Sequence, residues 1–143
     1  MDDLLKIALM QYGIKEIIGT NHNKTIVSYF NETGFDQINN DETPWCSAFL
    51  NWCAMKSNYQ RTNNLLARSW LEIGAIIDIK NIQIGDIIIL KRGNKSWQGH
   101  VGVYISQDLN SIWILGGNQA NMVNITAYPK SKILGIRRLT KLK

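Results

Sequence analysis

Thr43-Pro44-Trp45-Cys46-Ser47-Ala48-Phe49 is the stretch on which the fold turns. Thr43 suits a helix N-cap, and Pro44 suits the first helical position, where a missing N–H costs nothing. The spacing predicts a helix whose first turn holds Cys46, beside free backbone N–H groups and the positive end of the helix dipole. Both favour a thiolate. Trp45, Ala48, Phe49, Trp52 and Cys53 fall on one apolar face, so the helix should be buried. Cys53 follows on the same helix at ~10 Å from Cys46, beyond the ~7 Å that a disulfide spans. Cys46 is therefore expected to be free, and Cys53 to be a small core residue.

Upstream, Leu4, Leu5, Ala8 and Leu9 make the apolar stripe of a short helix that ends near Gly13. Asn23 can cap a second helix, with Ile26, Val27, Tyr29 and Phe30 inside it and Gly34 ending it. Residues 36–43 form a polar loop. Downstream, residues 57–64 read as a loop, followed by a short helix over Leu65–Ile73 that Gly74 closes. From about residue 75 the pattern changes to strand. Ile87-Ile88-Ile89-Leu90, His100–Ser106, Ser111–Gly116, Met122–Ala127 and Ile133–Arg138 make a five-stranded antiparallel set. Helices first and sheet second give an α+β fold.

Residues 99–119 decide which side chains meet. Val101, Val103 and Ile105 alternate with His100, Gly102 and Tyr104, so one face is core and the other carries His100. If Asp108–Asn110 form a three-residue loop, Gly102 faces Gly116 and His100 faces Asn118. A two-residue turn at Leu109-Asn110 slips the register by one and brings Gln119 opposite His100 instead. The paired glycines also leave room for a helix to approach the sheet and bring Cys46 to His100.

At 143 residues and 45% hydrophobic, the chain is expected to be a single domain over 1–143. Residues 1–35 form its helical N-terminal part and 40–138 its core. A net charge of +5 fits an anionic partner. Nucleic acid is set aside, because no recognition helix and no basic stripe with interleaved aromatics is present. No apolar run approaches the ~20 residues of a membrane span, so stable membrane insertion is not expected. The opening Met1-Asp2-Asp3 is acidic where a signal peptide would be basic, which predicts a cytoplasmic chain that leaves by another route.

The chemistry expected is that of a cysteine amidase or peptidase. His100 takes the Cys46 proton, and Asn118 orients the imidazole, with Gln119 as the alternative. The backbone N–H groups of Cys46 and Ser47 face an oxyanion. Trp45 and Trp97 are the candidate substrate contacts. No His/Cys spacing resembles a zinc site, so neither metal nor cofactor is expected. Asp36, Asn39, Asn40, Asp41 and Glu42 depart from the helix–loop–helix calcium pattern and read as solvated loop, and His22, in Asn21-His22-Asn23, reads as a solvated helix entry.

Five separated motifs carry a resemblance. They are Pro44-Trp45-Cys46-Ser47-Ala48-Phe49, Gly85-Asp86-Ile87, Gly99-His100-Val101-Gly102, Gly116-Gly117-Asn118-Gln119 and Tyr128-Pro129-x-Ser131-x-x-Leu134-Gly135-x-Arg137-Arg138. In this order they resemble the NlpC-like and CHAP cell-wall cysteine hydrolases, in particular small single-domain members, over about residues 40–138. The resemblance implies a papain-like core, with the cysteine helix packed on the antiparallel sheet. It also implies an amide bond of bacterial peptidoglycan as substrate, Cys46 as nucleophile, His100 as base and Asn118 as third member. Many relatives carry a histidine or an acidic residue in that third place. Delivery then falls to a phage holin or to secretion machinery, the latter with an immunity protein as partner. Two alternatives stand beside this reading. One is a papain-like amidase acting on a non-wall protein or lipid amide, and the other is a wall-binding module without the chemistry.

Overall fold

The computed structural model describes residues 2–143. Helix α1 (Asp3–Met10) starts on Asp2, whose Oδ1 accepts the Leu4 N–H at 2.7 Å. Helix α2 (Lys24–Asn31) starts on Asn23, the expected cap, with Oδ1 accepting the Thr25 N–H at 2.9 Å. Helix α3 (Cys46–Ser57) starts later than the sequence predicts, with Trp45 at the N-cap. Thr43 does not cap it, because its N–H and hydroxyl both go to Asn40 Oδ1, at 2.8 and 3.0 Å. A residue before proline also avoids the helical region, which holds Thr43 out of the helix. The first intrahelical bond runs from the Phe49 N–H to the Trp45 carbonyl at 2.9 Å. Cys46 thus remains in the first turn. The helix closes on Asn58, which takes the left-handed conformation at φ 63°.

The helix expected over Leu65–Ile73 is a 3₁₀ turn over Ala67–Glu72. Buried Trp70 ties this turn to α3 by donating its indole N–H to Ser47 Oγ at 2.9 Å. Six strands follow, where five were expected: β1 (Ala75–Ile76), β2 (Ile87–Lys91), β3 (Gly99–Gln107), β4 (Ser111–Gln119), β5 (Met122–Pro129) and β6 (Ile133–Arg138). The extra strand is β1, which pairs only with Arg137 and Arg138 and is too short to show a period. All pairs are antiparallel, in the order β1-β6-β2-β3-β4-β5. Among the described residues, no helix is long and apolar enough to cross a membrane.

Both faces of the sheet are covered. Ile87, Ile89, Val101, Val103, Leu115 and Val123 pack with the three helices. Ile88, Leu90, Tyr104, Ile112, Ile114 and Ile136 form a second core on the opposite face. This is why Ile87-Ile88-Ile89-Leu90 is apolar without alternation. His100 belongs to the second face and is itself buried.

The β3–β4 hairpin combines the two registers weighed above. At its turn Gln107 faces Ile112, and Asp108 donates its N–H to the Ser111 carbonyl at 3.0 Å, so the loop is the two-residue Leu109-Asn110. Asp108 Oδ1 stabilises that turn by accepting the N–H groups of Asn110 and Ser111, at 3.0 and 2.8 Å. A bulge between Tyr104 and Ser106 then shifts the pairing, so that Tyr104 faces Ile114 and Val103 faces Leu115. Those are the pairs a three-residue loop would have produced.

Candidate active site

The β3–β4 ladder runs from Val103–Leu115 to the turn and does not extend to His100, and α3 presents its first turn at this open end. The glycine that admits the helix is Gly117. A Cβ there would lie 2.8 Å from Phe49 Cβ and from the Trp45 ring. The expected Gly102–Gly116 pair does not serve this purpose. A Cβ on Gly102 would meet Ile114 of the second core, and one on Gly116 would meet Gln119 and His100.

Cys46 is free and buried, with 6% of its surface exposed. Burial pushes its thiol up, and this outweighs the groups that favour the thiolate: the Val101 N–H, the Arg92 guanidinium and the N–H groups of Ser47 and Cys46. The expected thiolate preference of the helix start is therefore present but overridden by desolvation.

His100 is held by its partner in a defined protonation form. Its Nε2 lies 2.9 Å from Gln119 Oε1. The Gln119 amide cannot be turned round, because its NH₂ group already donates to the Ile114 carbonyl (3.2 Å), the Asn124 carbonyl (2.8 Å) and Asn124 Oδ1 (2.9 Å). Gln119 Oε1 is thus an acceptor, Nε2 carries the hydrogen, and Nδ1 keeps its lone pair. Nδ1 is buried and has no hydrogen-bond partner among the described residues. Burial lowers the imidazole to about 4, against the pull of the Gln119 bond and with the help of Arg92. His100 is therefore neutral at neutral pH. Its ring lies 5.4 Å from that of Tyr128, whose phenol burial pushes up to about 12.

Asn118 does not reach His100, which corrects the preferred sequence assignment of that contact. It occupies a bulge between Gly116 and Gln119, with φ 58°, and this extra residue carries Gln119 onto the imidazole. Trp45 is also corrected as a substrate contact, because it is fully buried and donates its indole N–H to Glu16 Oε2 at 2.9 Å. Trp97 is exposed on the β2–β3 loop. A groove of about 590 Å³, lined in part by Lys15, Glu16, Glu42 and Asn121, lies beside the Trp45–Glu16 bond and the β4–β5 turn.

Sequence reasoning missed three contributors. Asn124 clamps Gln119, and accepts in turn from Thr126 Oγ1 at 2.7 Å. Asn51 joins α3 to residues 62–64, its Oδ1 accepting the Thr62 and Asn63 N–H groups at 3.1 and 3.0 Å. Arg92, exposed past the end of β2, adds a positive charge that bears on Cys46, His100 and Tyr128.

His22, Asp41 and Glu42 bring their potential ligand atoms within 4.8 Å of one another. The Asp41 carboxylate is already engaged, with Oδ2 accepting the N–H groups of Ile17 and Asn23 at 2.8 Å each and Oδ1 lying 3.1 Å from His22 Nδ1. Asp41 is a buried hub that ties residues 17–23 to the approach to α3, where a solvated loop was expected.

The CHAP domain family matches residues 38–118 of the chain. In three dimensions the chain is similar to an NlpC/P60 family protein from Bacillus cereus, at 20% identity and a TM-score of 0.59, over 96% of this chain and 39% of that one. The chain thus spans about two fifths of that protein. RipD of Mycobacterium tuberculosis, described as a non-catalytic NlpC/p60 domain protein adapted to peptidoglycan binding, aligns at 14% identity and a TM-score of 0.57, over 96% of this chain and 95% of its own. RipB, a peptidoglycan hydrolase of the same organism, aligns at 16% identity and a TM-score of 0.54, over 95% of this chain and 62% of its own. These likenesses establish the papain-like α+β fold. No curated protein matches the sequence.

Proposed function

This chain belongs to the CHAP domain family, and from that premise we propose that it is a cysteine amidase or endopeptidase that cuts an amide bond of bacterial peptidoglycan. The observation that supports catalysis most directly is His100. A buried imidazole with Nε2–H anchored and, among the described residues, no partner on Nδ1 is what a general base for a thiol requires. Nδ1 takes the Cys46 proton as the sulfur attacks the carbonyl carbon. The N–H groups of Cys46 and Ser47 stabilise the oxyanion. The imidazolium then protonates the departing amine, and water hydrolyses the thioester. Both starting groups are neutral, so proton transfer accompanies attack and no resting ion pair is needed. Gln119 is the orienting residue in this scheme, in place of Asn118. Residues 40–138 act as the catalytic core, and exposed Trp97 offers an aromatic surface to the substrate. The net charge of +5 suits an anionic wall, reached as a phage endolysin or as an exported antibacterial effector.

The test is mass spectrometry of purified peptidoglycan treated with the wild type and with Cys46→Ala. New fragments from the wild type alone are expected, and their masses name the bond. Silence from both proteins on several wall types would overturn the wall-hydrolase reading. Wall binding that survives loss of Cys46 would then move the chain to the binding role described for RipD.

A further inference from the structure

We propose that Arg92 and the Tyr128 hydroxyl form an anion subsite beside Cys46 and His100 that holds a free carboxylate of the substrate close to the scissile amide. The proposal deepens the hydrolase reading and rests on it for the identity of the substrate. Its geometry comes from the register of β2 and β3. Leu90 faces His100 across the ladder, so the two side chains share a face. Strand alternation continued one residue past Lys91 assigns Arg92 to that face, in keeping with the effect of its charge on Cys46, His100 and Tyr128. Tyr128 belongs to the same face and lies against the imidazole, with ring centroids 5.4 Å apart.

The support for Arg92 is fixed. Gln98 closes the β2–β3 loop on itself, accepting the Lys95 N–H on Oε1 at 3.0 Å and donating its own N–H to the Lys95 carbonyl at 3.2 Å. Arg68 Nε holds the Gln98 carbonyl at 2.6 Å. Gly93, at φ 64°, leaves no room for a side chain beside Gln98. The guanidinium itself is exposed, and among the described residues no carboxylate pairs with it. Tyr128 stays a protonated donor across the working range of pH. A planar guanidinium and a phenolic O–H drawn from the imidazole's face of the sheet suit a carboxylate, which a guanidinium grips by two parallel hydrogen bonds. The preferred substrate is accordingly an amide of an acidic peptide with its neighbouring carboxyl free, and its amidated counterpart is cut less well.

The test compares alkylation of Cys46 by iodoacetate and by iodoacetamide in the full-length protein, read by intact mass and peptide mapping. In each reaction the thiolate sulfur forms a bond to the CH₂ carbon and iodide leaves with the bonding electrons. The ratio of the two rates therefore cancels the thiolate fraction. We expect Arg92→Gln to lower the iodoacetate-to-iodoacetamide ratio roughly five-fold. Arg92→Lys keeps most of it, and Tyr128→Phe lowers it about two-fold. Lys80→Gln removes the same charge from a remote exposed site and leaves the ratio unchanged. An equal loss of both rates in Arg92→Gln overturns the subsite and makes Arg92 a support of the thiolate. An equal fall of the ratio in Lys80→Gln overturns it in favour of overall charge. No wall enters this assay, so the two readings fail separately. Preferential iodoacetate labelling without wall fragments keeps the subsite and discards the wall, and fragments with an unchanged ratio do the reverse.

Discussion

His100 is where burial and hydrogen bonding compete, and burial wins. Desolvation lowers the imidazole to about 4 although the Gln119 bond pulls the other way. A base must be neutral to take the Cys46 proton, so kcat/KM should fall only as pH drops through about 4, well below the ~6.5 of an ordinary histidine. An acid limb near 6.5 in the rate profile would contradict this. Gln119→Glu places a carboxylate beside the imidazolium and should move the acid limb upward. Gln119→Ala removes the acceptor that fixes the tautomer, and kcat should drop about 100-fold with KM little changed. Asn118→Gly keeps the left-handed backbone of the bulge and deletes only a side chain that does not touch His100. It should leave kcat within about two-fold, and a larger loss would return Asn118 to the mechanism.

The seating of α3 against β4 sets where Cys46 stands relative to His100. Gly117→Ala puts a methyl 2.8 Å from Phe49 Cβ and from the buried Trp45 ring, neither of which is a flexible side-chain end. The helix start must move, at a cost of about 1–3 kcal/mol. Urea midpoints should fall accordingly, and Cys46 alkylation should change while Cys53 stays protected. Much of this arrangement was legible in the chain. Period and capping placed α1, α2 and the cysteine helix, and alternation placed His100 on the face opposite Val101. The details that choose Gln119 over Asn118 were not legible. They lie in bulges at Tyr104–Ser106 and Gly116–Gln119, which inserted residues create and which no local propensity marks. Asn124 was invisible for a related reason, because its grip on Gln119 crosses a hairpin whose register was unknown. The start of α3 was misplaced by Thr43-Pro44, a strong local signal that the Asn40 turn overrides.

At the scale of the whole molecule, some of the positive charge holds the fold together. Arg138 donates from Nε to Oδ1 and from Nη2 to Oδ2 of buried Asp86, at 2.8 and 2.9 Å, and Arg137 Nε bonds the Leu71 carbonyl at 3.1 Å. The C-terminal basic residues are thus partly structural. The sheet carries a core on each face, and the second encloses an ionisable imidazole, so the proposed chemistry and global stability are linked through one proton. The unfolded imidazole binds that proton near pH 6.5, whereas the folded one resists until about 4. Between those values protons favour the unfolded chain, so stability is full above 6.5, declines as pH falls and levels off below 4. The total loss is about 3 kcal/mol. Asp41 does not share this window. Burial pushes its carboxyl up, but the Asn23 and Ile17 amides and His22 outweigh it and hold it below its ordinary value, so its contribution is lost only at lower pH. Urea denaturation at pH 7.5, 5.5 and 4.5 should show the decline in the wild type and a flatter course in His100→Gln, whose side chain takes up no proton. Parallel courses for the two proteins would mean that the folded imidazole titrates near its ordinary value, and the acid limb expected near pH 4 would fall with it.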